Sequence, residues 1–383
     1  MVRAFVLLAV CTALGFMYTK NVEKIYNIGG ESGYAVTPRA DLWFVILLIV
    51  MVLFSGLRTQ MNDTIHYVRS FLNNVETTTG FRTLFRVSWD INTHPMFVVF
   101  QRLVKTIFGA NSQWFIMCHA IIVVSSYLLF LKKYSHNFMW SLFVLMAFAV
   151  YGFSMAAMKQ TMSIAVGIWA IPLFNEKKYI RSILIMLIAM FFHPFVFILF
   201  ACNFLSDGVW TKKSWIVIAV SVVFFLLFSQ YVDSASDLAE QFGKEYDYEN
   251  LTSSGVGIQR IIAYSIIPAL SFLCRKEINA KHDSMVNITV NASLISFCFM
   301  LLAFNGGAVL LGRIPAYFNV LTCVALPSIL DNQKTEYRGI IKVIFVVLML
   351  VYYYSYYDLY VDTYCGGDLF GDIYNHASIS SLF

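Results

Sequence analysis

Apolar residues in this chain come in blocks of about 16–22, separated by short polar patches. That spacing restricts the fold more than any other feature. A helix rises about 1.5 Å per residue, so a block of this length crosses a hydrocarbon core of roughly 30 Å. In lipid every backbone donor and acceptor must be satisfied internally, which leaves only helices or a closed barrel. A barrel would show short strands of alternating polarity, and these blocks do not alternate. Only 13% of the 383 residues are charged and 59% are apolar. Water-soluble folding could not hide that surplus, since even a large soluble domain buries only about three quarters of its surface. The chain therefore reads as an all-α polytopic integral membrane protein. It is expected to be a single transmembrane helical domain over residues 1–383, with roughly ten to twelve crossing segments.

Candidate spans are 2–17, 41–57, 111–131, 136–155, 158–174, 179–206, 215–230, 257–273, 285–303, 314–330 and 340–357. The opening MVRAFVLLAVCTALGF has the basic start and apolar run of a signal peptide. No A-x-A site follows it, and it reads as a first span. Segment 179–206 is too long for one ordinary crossing and holds His193-Pro194 near its centre. Proline cannot continue the helical hydrogen-bond ladder, so a kink or two short helices meeting at a break is expected there.

Basic turns fix the sides. Lys132/Lys133, Lys177/Lys178/Arg181, Lys212/Lys213, Arg275/Lys276 and Lys334/Arg338/Lys342 can all face the cytoplasm only if 179–206 goes out and comes back. The outer face then receives loop 58–110, the turn at 155–160, the break at His193, the acidic loop 231–256, the turn at 304–313 and the tail 358–383. Loop 58–110 carries Arg58, Arg69, Arg82, Arg86, Arg102 and Lys105, against the positional bias. Either the topology is different or the loop serves an anion. Within it, 95–108 is apolar but short, with Arg102 and Lys105 one turn apart, and suits an interfacial or re-entrant helix. A true crossing there would invert everything before it.

Four polar clusters fall on that outer side. Arg58 follows an apolar span in Gly56-Leu57-Arg58-Thr59-Gln60-Met61-Asn62-Asp63-Thr64-Ile65-His66-Tyr67. Its guanidinium can offer a rigid fork to a phosphate or diphosphate, and Asp63 can orient it or take a proton from a sugar hydroxyl. The plain alternative is a snorkelling arginine beside a loop aspartate. Lys159 and Gln160 interrupt two apolar helices, where a helix N-terminus would favour an anion, unless they are simple turn residues. His193 at the helix break can donate a hydrogen bond or relay a proton, or merely pack. Arg313 opens an apolar span after Gly306-Gly307, with Tyr317 one turn further on the same face. Ionisable residues at membrane depth are functional candidates by default, and four clusters on one side strengthen a joint anion-site reading. His94, before the short helix, shows nothing beyond loop capping.

Other chemistries find no support. Cys11, Cys118, Cys202, Cys274, Cys298, Cys323 and Cys365 form no CxxC pair, so no disulfide framework or zinc cluster is indicated. HExxH, Walker and dinucleotide signatures do not occur. The formal charge of +5 is scattered among interhelical patches, without the basic stripe that nucleic acid needs.

At the four clusters the chain resembles the EpsG/Wzy-like family of bacterial polysaccharide polymerases, over about residues 40–330. The resemblance rests on Gly56-Leu57-Arg58…Asp63…Tyr67, then Ser154…Lys159-Gln160…Ala165, then Phe192-His193, then Arg313…Tyr317-Phe318. Where the family has an Arg-Gln pair this chain has Lys159-Gln160, which keeps the charge but loses the bidentate fork. The family's serine two positions after the histidine is replaced by Phe195.

This resemblance implies an enzyme that joins polyprenyl-diphosphate-linked oligosaccharide repeat units into O-antigen, capsule or exopolysaccharide. It would act at the outer face of the bacterial cytoplasmic (inner) membrane, in an architecture resembling the large membrane glycosyltransferases of the GT-C type. Arg58 and Arg313 would hold the diphosphate with Lys159 assisting, while Asp63 and His193 would activate the acceptor hydroxyl or fix the cations. Gln60, Tyr67, Gln160, Tyr317, Arg102 and Lys105 would contact substrate. No metal or cofactor is implied. Partners would be the lipid-linked substrate, membrane lipid, and flippase and chain-length regulator proteins, with no nucleic acid. A transporter or glycolipid flippase is the rival from another class, but its charges would line a path across the whole membrane. A glycan ligase would use much the same parts.

The basic-turn argument predicts that a tag inserted between residues 208 and 213 is cytoplasmic. Labelling of that tag from outside by an impermeant reagent would overturn the out-and-back path of 179–206.

Overall fold

The computed structural model describes residues 2–29, 38–73, 80–227, 254–308, 311–365 and 376–382. Most of the acidic loop 231–256, and residues 366–375 of the tail, lie outside the described residues. All regular elements among the described residues are helical, apart from an isolated bridge between Arg58 and His376. The chain forms two compact units. One comprises Met1–Ser88, Pro95–Ala165 and Tyr353–Phe383; the other comprises Trp89–His94 and Val166–Tyr352.

The first unit is built on α1 (Val2–Gly29), α2 (Pro38–Gly56), α3 (Thr64–Asn73), α4 (Pro95–Phe108), α5 (Ser112–Tyr134), α6 (Phe138–Ala147), α7 (Val150–Ala156) and most of α8 (Met158–Gly167). Helices α2 and α5 are antiparallel partners, pinned at both ends. Lys132 near the end of α5 pairs with Asp41 near the start of α2 at 2.8 Å. At the opposite end, Gln113 Nε2 donates to the Gly56 carbonyl at 2.6 Å. The basic turn Lys132/Lys133 and the Arg58 loop therefore occupy opposite ends of one helix pair, as the charge distribution requires. The opening span is an integral part of this unit. Gly15 of α1 has no side chain where α6 packs, and a Cβ there would lie 2.6 Å from Leu142 Cδ2. Tyr353 Oη also donates to the Ala4 carbonyl at 2.8 Å.

The second unit contains α9 (Ala170–Asn175), α10 (Tyr179–Met190), a 3-10 segment (Pro194–Leu205), α11 (Lys212–Leu226), α12 (Ile258–Leu273), α13 (Arg275–Ala280), α14 (Ser284–Leu302), α15 (Pro315–Asp331) and the first part of α16 (Thr335–Cys365). The predicted break is present: α10 stops before His193, and the chain resumes at Pro194. Both ends of this broken segment lie near the start of α14. Asn175, just before it, donates to Ser284 Oγ at 2.8 Å, and Asn287 of α14 donates to the Ser206 carbonyl at 3.0 Å. Segment 179–206 thus goes out and returns. Asn279 bonds both polar groups of the Val209 backbone, and Gln333 donates to the Leu270 carbonyl at 2.9 Å. These contacts gather the Lys177/Lys178, Lys212/Lys213, Arg275/Lys276 and Lys334/Arg338 turns at one end of the unit.

Among the described residues five helices are long and apolar enough to cross a membrane. Counting α6 and α7 as one span bent by 51° makes six. Among the described residues these full-length spans stand beside shorter apolar helices. The apolar stretches at Tyr179–Met190, Pro194–Leu205 and Ile258–Leu273 are short helices. Candidate span 158–174 is divided between α8 and α9. Helix α4 has 14 residues, about 21 Å by helical rise, which suits the interfacial or re-entrant reading of 95–108.

Gly167 brings α8 against the 3-10 segment after the break. A Cβ there would lie 2.7 Å from Val196 Cγ2, on a stiff β-branched side chain. Gly167→Ala is expected to lower stability by about 1–3 kcal/mol. Gly339→Ala, where nothing stands within 4 Å, should be neutral or slightly stabilising. Thermal unfolding of both variants in detergent checks the contrast, and equal melting temperatures would contradict this packing.

Candidate active site

In the first unit the site grows from the end of α2. Leu57 N–H still bonds the Leu53 carbonyl, after which the chain turns and restarts at Thr64. Asn62 takes φ 46° in this turn, a left-handed conformation that asparagine tolerates better than most residues. The Asp63 carbonyl accepts from Tyr67 N–H at 3.2 Å, so Asp63 stands at the N-terminal boundary of α3.

Arg58, in this turn, is fully buried. Its Nη1 donates to the Ser55 carbonyl at 2.5 Å and lies 3.2 Å from Ser55 Oγ, while Nε donates to Thr64 Oγ1 at 3.3 Å. Nη2 has no partner among the described residues. Ion pairs among the described residues involve other cations. Burial pushes the guanidinium down to about 10, with nearby Tyr151 acting in the opposite direction, so it remains cationic at neutral pH. A buried cation without an opposing charge costs several kcal/mol, and here two N–H groups remain unused. The backbone around it is fixed from two sides. Gln113 Nε2 reaches the Arg58 carbonyl at 3.3 Å, and Ala377 N–H donates to the Leu57 carbonyl at 2.8 Å. The tail segment 376–382 is itself held by Asn111 and Trp114, which donate to the Ser381 and Leu382 carbonyls.

The Lys159-Gln160 pair joins this cluster through the break between α7 and α8. Thr64 Oγ1 lies 3.3 Å from the Met155 carbonyl, which connects Arg58 to that break. The Phe97 ring meets Tyr67 at 5.7 Å between centroids and Lys159 Nζ at 5.9 Å. Lys159 is half-buried and Gln160 is buried. The structure thus brings Arg58, Thr64, Tyr67 and Lys159 into one neighbourhood, with Asp63 and Gln60 half-buried in the same turn. Arg102 and Lys105 make separate contacts, and Arg102 Nε has no partner among the described residues. Arg102 donates to the Thr83 and Arg86 carbonyls at 3.1 and 2.7 Å, and Lys105 Nζ lies 3.5 Å from the Leu72 carbonyl.

In the second unit His193 caps the 3-10 segment, and its Nδ1 lies 2.5 Å from Tyr317 Oη. Tyr317 is buried two residues into α15. The His193 ring also stacks on His94, with centroids 5.3 Å apart and planes at 20°. His94 takes φ 55° as the C-cap of a short 3-10 turn and its N–H donates to the Ile91 carbonyl, the loop capping expected of it, to which the stacking on His193 is added. Arg313 ends the 3-10 turn Leu311–Arg313 ahead of α15 and is half-buried.

Sequence reasoning missed three contributors: His119, Thr64 and the tail segment. His119 is a lone histidine within an apolar run, and Thr64 is one hydroxyl in a polar stretch. Only the fold shows that each faces exposed backbone at a helix break. Among the described residues no group of three His, Cys, Asp or Glu side chains is placed to hold a metal.

Residues 41–365 match the model of the EpsG family. No curated protein and no solved structure matches.

The uncompensated charge of Arg58 gives a stability prediction. Arg58→Met removes a desolvated cation, a gain of several kcal/mol that outweighs the loss of its hydrogen bond to the Ser55 carbonyl, about 1–3 kcal/mol. Its melting temperature in detergent is expected to equal or exceed that of wild type. A marked drop would mean that the guanidinium holds the fold together rather than serving a ligand.

Proposed function

The chain belongs to the EpsG family of polysaccharide polymerase-like proteins, and from that premise we propose that it joins oligosaccharide repeat units carried on a polyprenyl diphosphate lipid. The reaction would take place at the outer face of a bacterial cytoplasmic membrane and yield O-antigen, capsule or exopolysaccharide. A terminal sugar hydroxyl of one repeat unit attacks the anomeric carbon of the growing chain. The bond from that carbon to the diphosphate oxygen breaks, and the lipid diphosphate leaves with the electron pair. No nucleotide sugar takes part.

The observation that carries this reading is the buried Arg58 guanidinium with Nη2 unused, close to the Lys159-Gln160 break. Its other donors are committed to protein acceptors, so its orientation is set before any ligand arrives. A fixed cation in a water-poor setting stabilises the charge that builds on a departing phosphate oxygen more strongly than it would in water. Lys159 adds a second positive charge in the same unit. Arg313 is assigned to the diphosphate as well, from its misplaced charge at the head of α15. Asp63 is assigned to fixing the cations.

His193 is assigned to the acceptor hydroxyl. Its 2.5 Å contact with Tyr317 Oη gives a short route for the proton that the hydroxyl releases, and the leaving group is good enough that a strong base is unnecessary. Gln60, Tyr67 and Gln160 are assigned to sugar or phosphate contacts. The carbonyl bonds of Arg102 and Lys105 support a part in holding the outer segment, and the unpartnered Arg102 Nε leaves a donor for substrate.

Arg58→Ala and Arg313→Ala are expected to abolish polymer formation at unchanged levels of membrane-inserted protein. Glycan chain length on a gel, from cells carrying each variant, checks this. Polymer of normal length from both variants would overturn the assignment. Long chains that stay on their lipid carrier when the whole gene is absent would identify a ligase instead.

A further inference from the structure

His119 lies in the second turn of α5 and is 1% exposed. Its Nε2 stands 3.3 Å from the Met158 carbonyl and 3.3 Å from Thr161 Oγ1. Met158 and Thr161 bracket Lys159-Gln160. One imidazole nitrogen therefore touches the residue before the pair and the residue after it.

The chemistry of these contacts sets the tautomer. The Met158 carbonyl can only accept, so Nε2 carries the proton and donates to it. Thr161 Oγ1 is surrounded by the carbonyls of Ser154, Ala157 and Met158 at 3.3, 3.0 and 3.2 Å, and its hydroxyl donates among them. With the proton on Nε2, Nδ1 is an acceptor, and it has no partner among the described residues. Arg58 Nη2, a donor, has no partner among the described residues either. The two residues approach the same break from different elements. Arg58 reaches the Met155 carbonyl through Thr64, and His119 reaches the adjacent Ser154 carbonyl through Thr161. Helix α5 also holds the Arg58 backbone through Gln113, so one helix supports both cationic elements.

We propose that His119 is a positioning residue: it fixes the register of the Lys159-Gln160 pair relative to Arg58 by gripping Met158 and Thr161 with Nε2. This deepens the polymerase reading and rests on it for the substrate. His119 itself touches no substrate. It acts through Lys159, whose ammonium must be placed to within a fraction of an ångström to share an anion with a buried guanidinium.

Three variants of the full-length protein in native membranes test this. His119→Phe keeps the ring volume and loses both nitrogens. His119→Gln places an amide nitrogen near the position of Nε2 and can restore the bond to the Met158 carbonyl. His119→Asn places its polar atoms near Nδ1 and cannot. Two readouts are taken: polymer yield by gel, and acylation of individual lysines by a water-soluble amine reagent, located by peptide mass spectrometry.

His119→Phe is expected to cut polymer yield about tenfold or more, because Lys159 is no longer held where it shares an anion with Arg58. It should also change the acylation rate of Lys159 at least about threefold, while Lys105 and the protein level stay as in wild type. His119→Gln should return both readouts toward wild type, and His119→Asn should not. Unchanged Lys159 acylation in His119→Phe, or equal behaviour of the Gln and Asn variants, would overturn the proposal. A change spread over all lysines would also overturn it, by marking a merely structural histidine. If the wild-type protein makes no polymer, the polymerase reading fails, while the acylation pattern still decides the role of His119.

Discussion

A helix interrupted inside an apolar bundle exposes carbonyl oxygens that water cannot reach, and side chains must satisfy them. That constraint organises this protein. Where α2 ends, Gln113 takes the Gly56 carbonyl and Arg58 takes that of Ser55. Where α7 gives way to α8, Thr64, Thr161 and His119 collect around the carbonyls of residues 154–158. At the turn after the broken segment 179–206, Asn291 donates to the Leu205 and Gly208 carbonyls at 2.7 and 2.9 Å. Thr64 links the two breaks of the first unit: it accepts from Arg58 Nε and lies against the Met155 carbonyl. Breaking a helix in lipid and building a polar site there are thus one structural act.

Much of this was legible in the chain. Apolar block length gave helices and a membrane, and Pro194 gave the break at His193. Five basic turns required an out-and-back path for 179–206, and the hydrogen bonds of Asn175 and Asn287 provide it. The number of full crossings was not legible. The breaks after α6 and α7 fall at alanines; Ala149 adopts φ 57°, a conformation that no alanine in a sequence announces. Candidate span 158–174 divides near Trp169, where Pro172 lacks the N–H that would reach the Ile168 carbonyl, so this break was within reach of the sequence.

Site residues divide along the same line. Arg58, Lys159, His193 and Arg313 stood out because a charge or an imidazole at those depths needs a reason. The complete burial of Arg58 did not stand out, since a sequence shows the charge and not its surroundings. Nor did the pairing of Tyr67 with Lys159 across Phe97, or of His94 with His193, because contacts so distant along the chain leave no periodic trace. Arg102 and Lys105 looked like the anion-binding residues of the outer loop; Arg102 Nη1 and Lys105 Nζ meet backbone carbonyls, while Arg102 Nε, like Arg58 Nη2, has no partner among the described residues. A misplaced positive charge marks either a ligand or an unsatisfied backbone, and only the fold distinguishes them.

If this chain links lipid-carried repeat units by itself, it needs neither a nucleotide sugar nor a second protein. The purified protein, reconstituted into liposomes, would be given a polyprenyl-diphosphate-linked repeat unit with no nucleotide sugar and no other protein. A ladder of products at repeat-unit intervals, with lipid diphosphate released at each step, is the predicted result. Repeat units that stay single while the reconstituted protein remains folded and inserted would contradict it.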